Sequence, residues 1–150
     1  NDLVGRKTAR DGGQTAKALA AQVQATEVAL AASATADAIA MAKRLGAARL
    51  AFIDVVDFVA GNTKALPNDV FAGSVPYLML AGNLMAGWQL GRAMLVAQDA
   101  VARGEDVAFM KAKITTARFY ADHLLTKAAG LRDAIVEGAP CVTALALDAF

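Results

Sequence analysis

The stretch MKAKITTARFYADHLLTKAAGLRDAI, residues 110–135, decides the fold. Its apolar positions Met110, Ile114, Ala117, Ala121, Leu124, Ala128, Leu131 and Ile135 alternate steps of four and three, a repeat of about 3.5 residues that keeps them on one side of a helix. One long helix is predicted here. The same spacing returns in Met41, Leu45, Ala48, Phe52, Val55 and Val59, and again in Tyr77, Ala81, Leu84, Trp88, Gly91 and Leu95. A weaker series, Ala16, Leu19, Val23, Thr26 and Leu30, predicts a first helix that uses alanine for close approach. No segment of useful length alternates with the period of two that marks a half-buried strand. Long helices with short connections pack antiparallel, and a seam of this period favours the shallow crossing of a left-handed bundle. The expected fold is therefore all-α, an up-and-down four-helix bundle.

Local chemistry places the breaks. SATAD, residues 33–37, shifts the seam out of phase; Thr35 can cap the second helix, with Asp37 in its first turn. That helix is expected to stop near Gly61 and to be followed by the loop GNTKALPNDVFAG. Ser74 can then cap a helix whose Pro76 sits in the first turn, where a missing N–H does no harm. Gly104 ends this helix, Asp106 can start the next, and Gly138 and Pro140 end the last. The expected organisation is an N-terminal segment over 1–13, the bundle over 14–139 and a tail over 140–150.

With 150 residues, 57% hydrophobic and 19% charged, the chain can form about one domain with its own core. Fifteen Lys and Arg are interleaved with fourteen Asp and Glu for a net charge of +1, so no basic stripe is available to a phosphate backbone and nucleic acid is not an expected partner. The single cysteine, Cys141, can build neither an intrachain disulfide nor a thiolate metal cage, which fits a cytoplasmic location. NDLVGRKTARDGG is charged and lacks the apolar region of a signal peptide. The uncharged stretch between Asp69 and Arg92 is long enough to cross a bilayer. Its Ser74, Pro76, Asn83, Gln89 and four glycines, together with a seam that runs on into charged sequence, instead predict a buried central helix over about 74–103. A membrane partner is not expected. That central helix should be the most buried of the four, with Gly87 and Gly91, and Gly82 with Ala86, admitting another backbone.

His123 is the only histidine and has Asp122 beside it. Adjacent residues on a helix do not face each other, so the two form no local dyad. On the helical wheel His123 lies opposite the seam, beside Phe119 and Lys127. The only serines, Ser33 and Ser74, read as turn or cap residues, leaving no nucleophile for a triad. Asp54 and Asp57 share a face near Lys43 without a histidine at ligand spacing, and read as a solvated or docking face rather than a di-metal site. Tyr77 and Trp88 read as core. Gly12-Gly13 and Gly61-Asn62 are turn signals that match no phosphate-binding fingerprint. No catalytic, cofactor-binding or metal residue is expected, and the candidate interface comprises Phe119, His123, Lys127, Gly87 and Gly91.

PYLMLAGNLMAGWQLGRAMLVAQDA together with KITTARFYADHLL closely resembles the C-terminal helical extension of one branch of the acyl-CoA dehydrogenases, the branch that includes the methylthiopropanoyl-CoA dehydrogenases. NDLVGRKTARDGG is similar to the segment that follows the flavin-enzyme core in that branch. The resemblance covers nearly the whole chain. It implies a parent that uses FAD to remove hydrogens from the α and β carbons of an acyl-CoA, in fatty acid metabolism, and that passes electrons to an electron-transferring flavoprotein. It also implies a catalytic carboxylate in a YEGT-type motif upstream, which this sequence lacks, so no catalytic residue carries over. The expected function is an accessory, non-catalytic C-terminal domain packing against its dehydrogenase core or second subunit. The alternative is an autonomous helical interaction or oligomerisation module.

Overall fold

A computed structural model describes residues 1–149, among which there are seven α-helices and no strand. A π-helical turn (Leu3–Thr8) and a 3-10 turn (Ala9–Asp11) lead through Gly12 and Gly13, both at positive φ, into α1 (Gln14–Ala32). There follow α2 (Ala36–Asn62), α3 (Pro67–Ala72), α4 (Ser74–Ala102), α5 (Val107–His123), α6 (Ala128–Val136) and the single turn α7 (Ala139–Val142). The long members form an all-α bundle in which α5 and α6 together occupy the fourth position. No helix of the described residues is long and apolar enough to cross a membrane.

Thr35 caps α2 as its sequence suggests, its side chain accepting from the Ala38 N–H at 3.2 Å. All six seam positions of α2, from Met41 to Val59, are buried. α2 packs against α1, α4, α5 and α6. This helix, and not α4, is therefore the most buried. The central position was expected for α4 because it lacks charge, but a row of its apolar residues, including Val75, Leu78, Met79 and Val96, faces outward. In α1 the buried line is Ala20, Val23 and Leu30, while Leu19 from the expected seam stands 36% exposed.

Several expectations are corrected in the second half of the chain. The predicted long helix is broken: α5 stops at His123, residues Leu125–Lys127 tighten into a 3-10 turn, and α6 resumes at Ala128. Leu125 takes the buried position that the four-three series assigned to Leu124. It seats its methyls over Gly87, where a Cβ would lie 2.7 Å from Leu125 Cδ2. The supposed loop before Ser74 contains α3, with Pro67 at its start, Asp69 in its first turn and Val70 buried. Ser74 does not cap α4; its hydroxyl lies 2.7 Å from the Phe71 carbonyl and 2.9 Å from Asn1 Oδ1. Asp106 does precede α5, at a φ of 46°, but its side chain makes no capping bond. After Gly138 the chain continues into α7, which lies against α3, and the Thr143 hydroxyl donates to Asp69 Oδ1 at 3.0 Å.

Candidate functional site

His123 ends α5 with its ring exposed and stacked on Phe119 one turn earlier, the centroids 4.4 Å apart and the planes at 27°. Lys127 is exposed in the turn that follows. Asp122 points the other way, toward α2, and accepts from Arg118 Nε at 2.6 Å and from Arg44 Nε at 3.4 Å. Arg118 also donates to Asp37 Oδ1 at 3.1 Å, at the start of α2. Asp122 and His123 are thus separated by the helix, with the carboxylate engaged by two guanidinium groups.

The hydrogen bond from Arg118, reinforced by Arg44, holds the Asp122 carboxyl below the ordinary carboxylate range. A carboxylate with a depressed folded pKa stabilises the fold above its unfolded pKa, and that contribution is lost as pH falls through the folded value. Urea unfolding should therefore show stability declining from about pH 4 downward. In Asp122→Asn the fold should be weaker at neutral pH and the decline shallower. An unchanged acid slope would mean that Asp122 is not one of the responsible groups.

Asp54 and Asp57 are each drawn to a different helix. Asp57 meets Lys17 of α1 at 2.6 Å, and Asp54 meets Arg132 of α6 at 3.4 Å. They do not converge on a common point. Among the described residues, no group of three or more His, Cys, Asp and Glu side chains could hold a metal ion. Gly87 and Gly91 face the interior: Leu125 covers the first, and Leu30 and Met41 lie against the second. This strip serves packing within the chain and is not available to an outside backbone. Gly82, with nothing within 4 Å of a built Cβ, is open.

The inward polar groups pair with one another. Thr8 and Tyr77 share a hydrogen bond of 2.8 Å, and burial pushes the Tyr77 hydroxyl above its ordinary pKa. Trp88 Nε1 donates to Thr26 Oγ1 at 2.8 Å, tying α4 to α1. Arg49, only 8% exposed, donates from Nε to Glu27 Oε2 at 2.9 Å. Among the described residues no buried side-chain nitrogen or oxygen lacks a partner. Sequence reading missed both the Thr8–Tyr77 and the Glu27–Arg49 pairs, because a polar pair between distant segments leaves no periodic mark.

The surface also carries open clefts. One of about 470 Å³ lies at the N-terminal segment, lined by Leu3, Lys7, Arg10, Leu19 and Tyr77 among others. Another of about 490 Å³ lies at the opposite end, with Thr35, Asp37, Gln98 and Lys111 in its wall. Neither assembles a nucleophile, a base and a group to orient it.

Residues 7–146 match the family described as acetyl-CoA dehydrogenase C-terminal like. A 3-methylmercaptopropionyl-CoA dehydrogenase from Ruegeria pomeroyi is 46% identical over 127 residues, covering 85% of this chain and 21% of that protein. The chain spans about a fifth of the length of this curated relative.

Proposed function

Because the chain belongs to the acetyl-CoA dehydrogenase C-terminal-like family, we propose that it is the accessory, non-catalytic helical domain of a larger flavin-dependent acyl-CoA dehydrogenase. The observation that carries this reading is that, among the described residues, the buried polar side chains are paired inside the bundle, in a chain that matches one fifth of a dehydrogenase. Functional groups directed at a substrate ordinarily stand apart from structural pairs in a cleft, with perturbed acid-base properties. Here Tyr77 is perturbed by burial but is bonded to Thr8, and the Asp122 carboxylate is engaged by Arg118 and Arg44.

The described residues do not fit FAD. Their buried side-chain donors and acceptors are already satisfied within the bundle, and its helices offer no glycine-rich strand-to-helix turn to cradle a pyrophosphate. The flavin, the acyl-CoA and the electron-transferring flavoprotein would be bound by the rest of the parent, whose chemistry is removal of hydrogens from the α and β carbons of the thioester. This domain would act by packing against the dehydrogenase core or the second subunit, stabilising the arrangement in which the flavin is held.

The test compares the parent enzyme with and without residues 14–150. Loss of the domain should speed flavin release on mild heating and weaken the dimer, read by flavin fluorescence and by mass in solution. Unchanged flavin retention and unchanged dimer stability would refute the role.

A further inference from the structure

We propose that the outer face shared by α4 and α5 is the surface by which this domain docks onto the dehydrogenase part of its own enzyme. The proposal rests on the accessory-domain reading and identifies which surface carries it.

Six exposed large apolar residues fall on this face: Val75, Leu78, Met79 and Val96 from α4, and Phe109 and Phe119 from α5. They form one surface because α4 and α5 pack side by side, with the Tyr120 hydroxyl donating to the Asn83 carbonyl at 3.2 Å. On α5, Phe109, Thr116, Phe119 and His123 recur at helical spacing on the side of that seam turned outward. Shallow grooves of about 260 and 380 Å³ run between the two helices, walled by Leu90, Ala93, Phe109 and Thr116 and by Gln89, Val96 and Lys113. Large apolar residues gathered on one side of two neighbouring helices, rather than scattered singly, point to an interaction surface.

Charge narrows the occupant. No acidic residue occurs in α4 before Asp99, and the only one in α5, Asp122, is turned to Arg44 and Arg118. Across the middle of the face the charges are cationic, with Arg92 over Trp88 at 5.6 Å and Lys113 over Phe109 at 5.1 Å, while acids stand only at its two ends, Asp99 one turn past Val96 and Asp2, paired with Arg6, beside Leu78. The complementary surface is therefore an apolar ridge edged with carboxylates. A second copy of this chain docked face to face would oppose cation to cation. The grooves suit protruding side chains of a folded protein better than the smooth apolar layer of a bilayer. About four fifths of the curated relative lies outside the region this chain matches, and the segment of residues 1–3 rests beside Ser74 and Leu78, at the edge of the same face. The polypeptide preceding the domain in such a parent would enter there.

By contrast, Leu50 on α2 stands on an outer strip shared with Lys43, Asp54 and Asp57, which carries charges of both signs along its length.

Hydroxyl-radical footprinting reads this directly, because Met79, Phe109, Phe119 and His123 oxidise readily. The full-length parent is compared with the 150-residue chain alone. We expect oxidation of Met79, Phe109 and Phe119 to slow by about five-fold or more in the parent, as at the centre of a packed interface, while Leu50 and Val28, the latter exposed on α1, keep their rates. The double substitution Met79→Glu, Phe119→Glu should restore labelling of Phe109 in the parent and leave the melting of the isolated chain nearly unchanged. Protection of Leu50 and Val28 with none at Met79 and Phe119 would overturn the choice of face and leave the accessory-domain reading standing. No protection anywhere in the parent would overturn both. Protection of the isolated chain that grows with its own concentration, or on adding phosphatidylglycerol vesicles, with none in the parent, would assign the face to a second copy or to lipid and overturn the proposal.

Discussion

Leu125→Ala should lower the unfolding free energy by about 3 kcal/mol, the cost of deleting a buried leucine side chain and leaving a partly unfilled cavity. Leu125 is 2% exposed and lies in the 3-10 turn that breaks the fourth position of the bundle, against a glycine of α4. The companion substitution distinguishes this contact from general core loss. In the native background Gly87→Ala places a Cβ 2.7 Å from Leu125 Cδ2, so overpacking opposes the helix propensity gained. The net change should be small or unfavourable. In the Leu125→Ala background the same methyl enters the vacated space, and the substitution should stabilise by about 1 kcal/mol. A double-mutant cycle from urea unfolding gives the coupling. Additive effects would show that Leu125 does not hold the turn against Gly87.

Glu27→Ala should cost about 3 kcal/mol, because it leaves the Arg49 guanidinium in a poorly hydrated position without its carboxylate. The Arg49 side chain is 10% exposed and that of Glu27 is 25% exposed, so water softens but does not remove the penalty. Gly46 makes the pair possible: a Cβ there would lie 2.5 Å from Glu27 Oε1, so the carboxylate occupies the space a side chain would need. Replacing both partners, as Glu27→Leu with Arg49→Met, should cost much less than Glu27→Ala alone, since no charge is then stranded. If the single and double replacements prove equally destabilising, packing of the side-chain stems rather than charge pairing holds α1 to α2 at this level.

The legible parts of the fold were those written in repeated spacing. Met41 to Val59 alternate by four and three in the sequence, and each is buried in α2, because a helix packed on several sides must bury its seam throughout. The break after His123 was not legible, since the series through Leu124 continues unbroken on paper. Two adjacent leucines offered two seams, and only the space above Gly87, a property of α4, selects Leu125. The short helix α3 did carry a local sign, Pro67 followed by Asp69, which the turn-like composition of GNTKALPNDVFAG obscured. The uncharged character of α4 suggests burial, whereas several of its apolar residues face outward.

At the candidate site, the wheel separates Asp122 from His123, and their side chains do point to different neighbours. The Arg118–Asp122 pair, four residues apart, was within reach of sequence reasoning. The addition of Arg44 and Asp37 required knowing that α5 lies along α2. Gly87 and Gly91 gave the same spacing signal whether they admit an outside helix or an internal leucine, and only tertiary packing chooses between them.

The most direct test of the account is a flavin-binding and turnover measurement on the purified 150-residue chain: its visible spectrum, the fluorescence of added FAD, and dye reduction with a short series of acyl-CoA thioesters, alongside the full-length parent. The chain should be colourless, leave FAD fluorescence unchanged and reduce no dye, beside a yellow, active parent. Flavin bound to the chain, or dye reduced by it, would place cofactor chemistry within these helices and contradict the claim that they form an accessory domain.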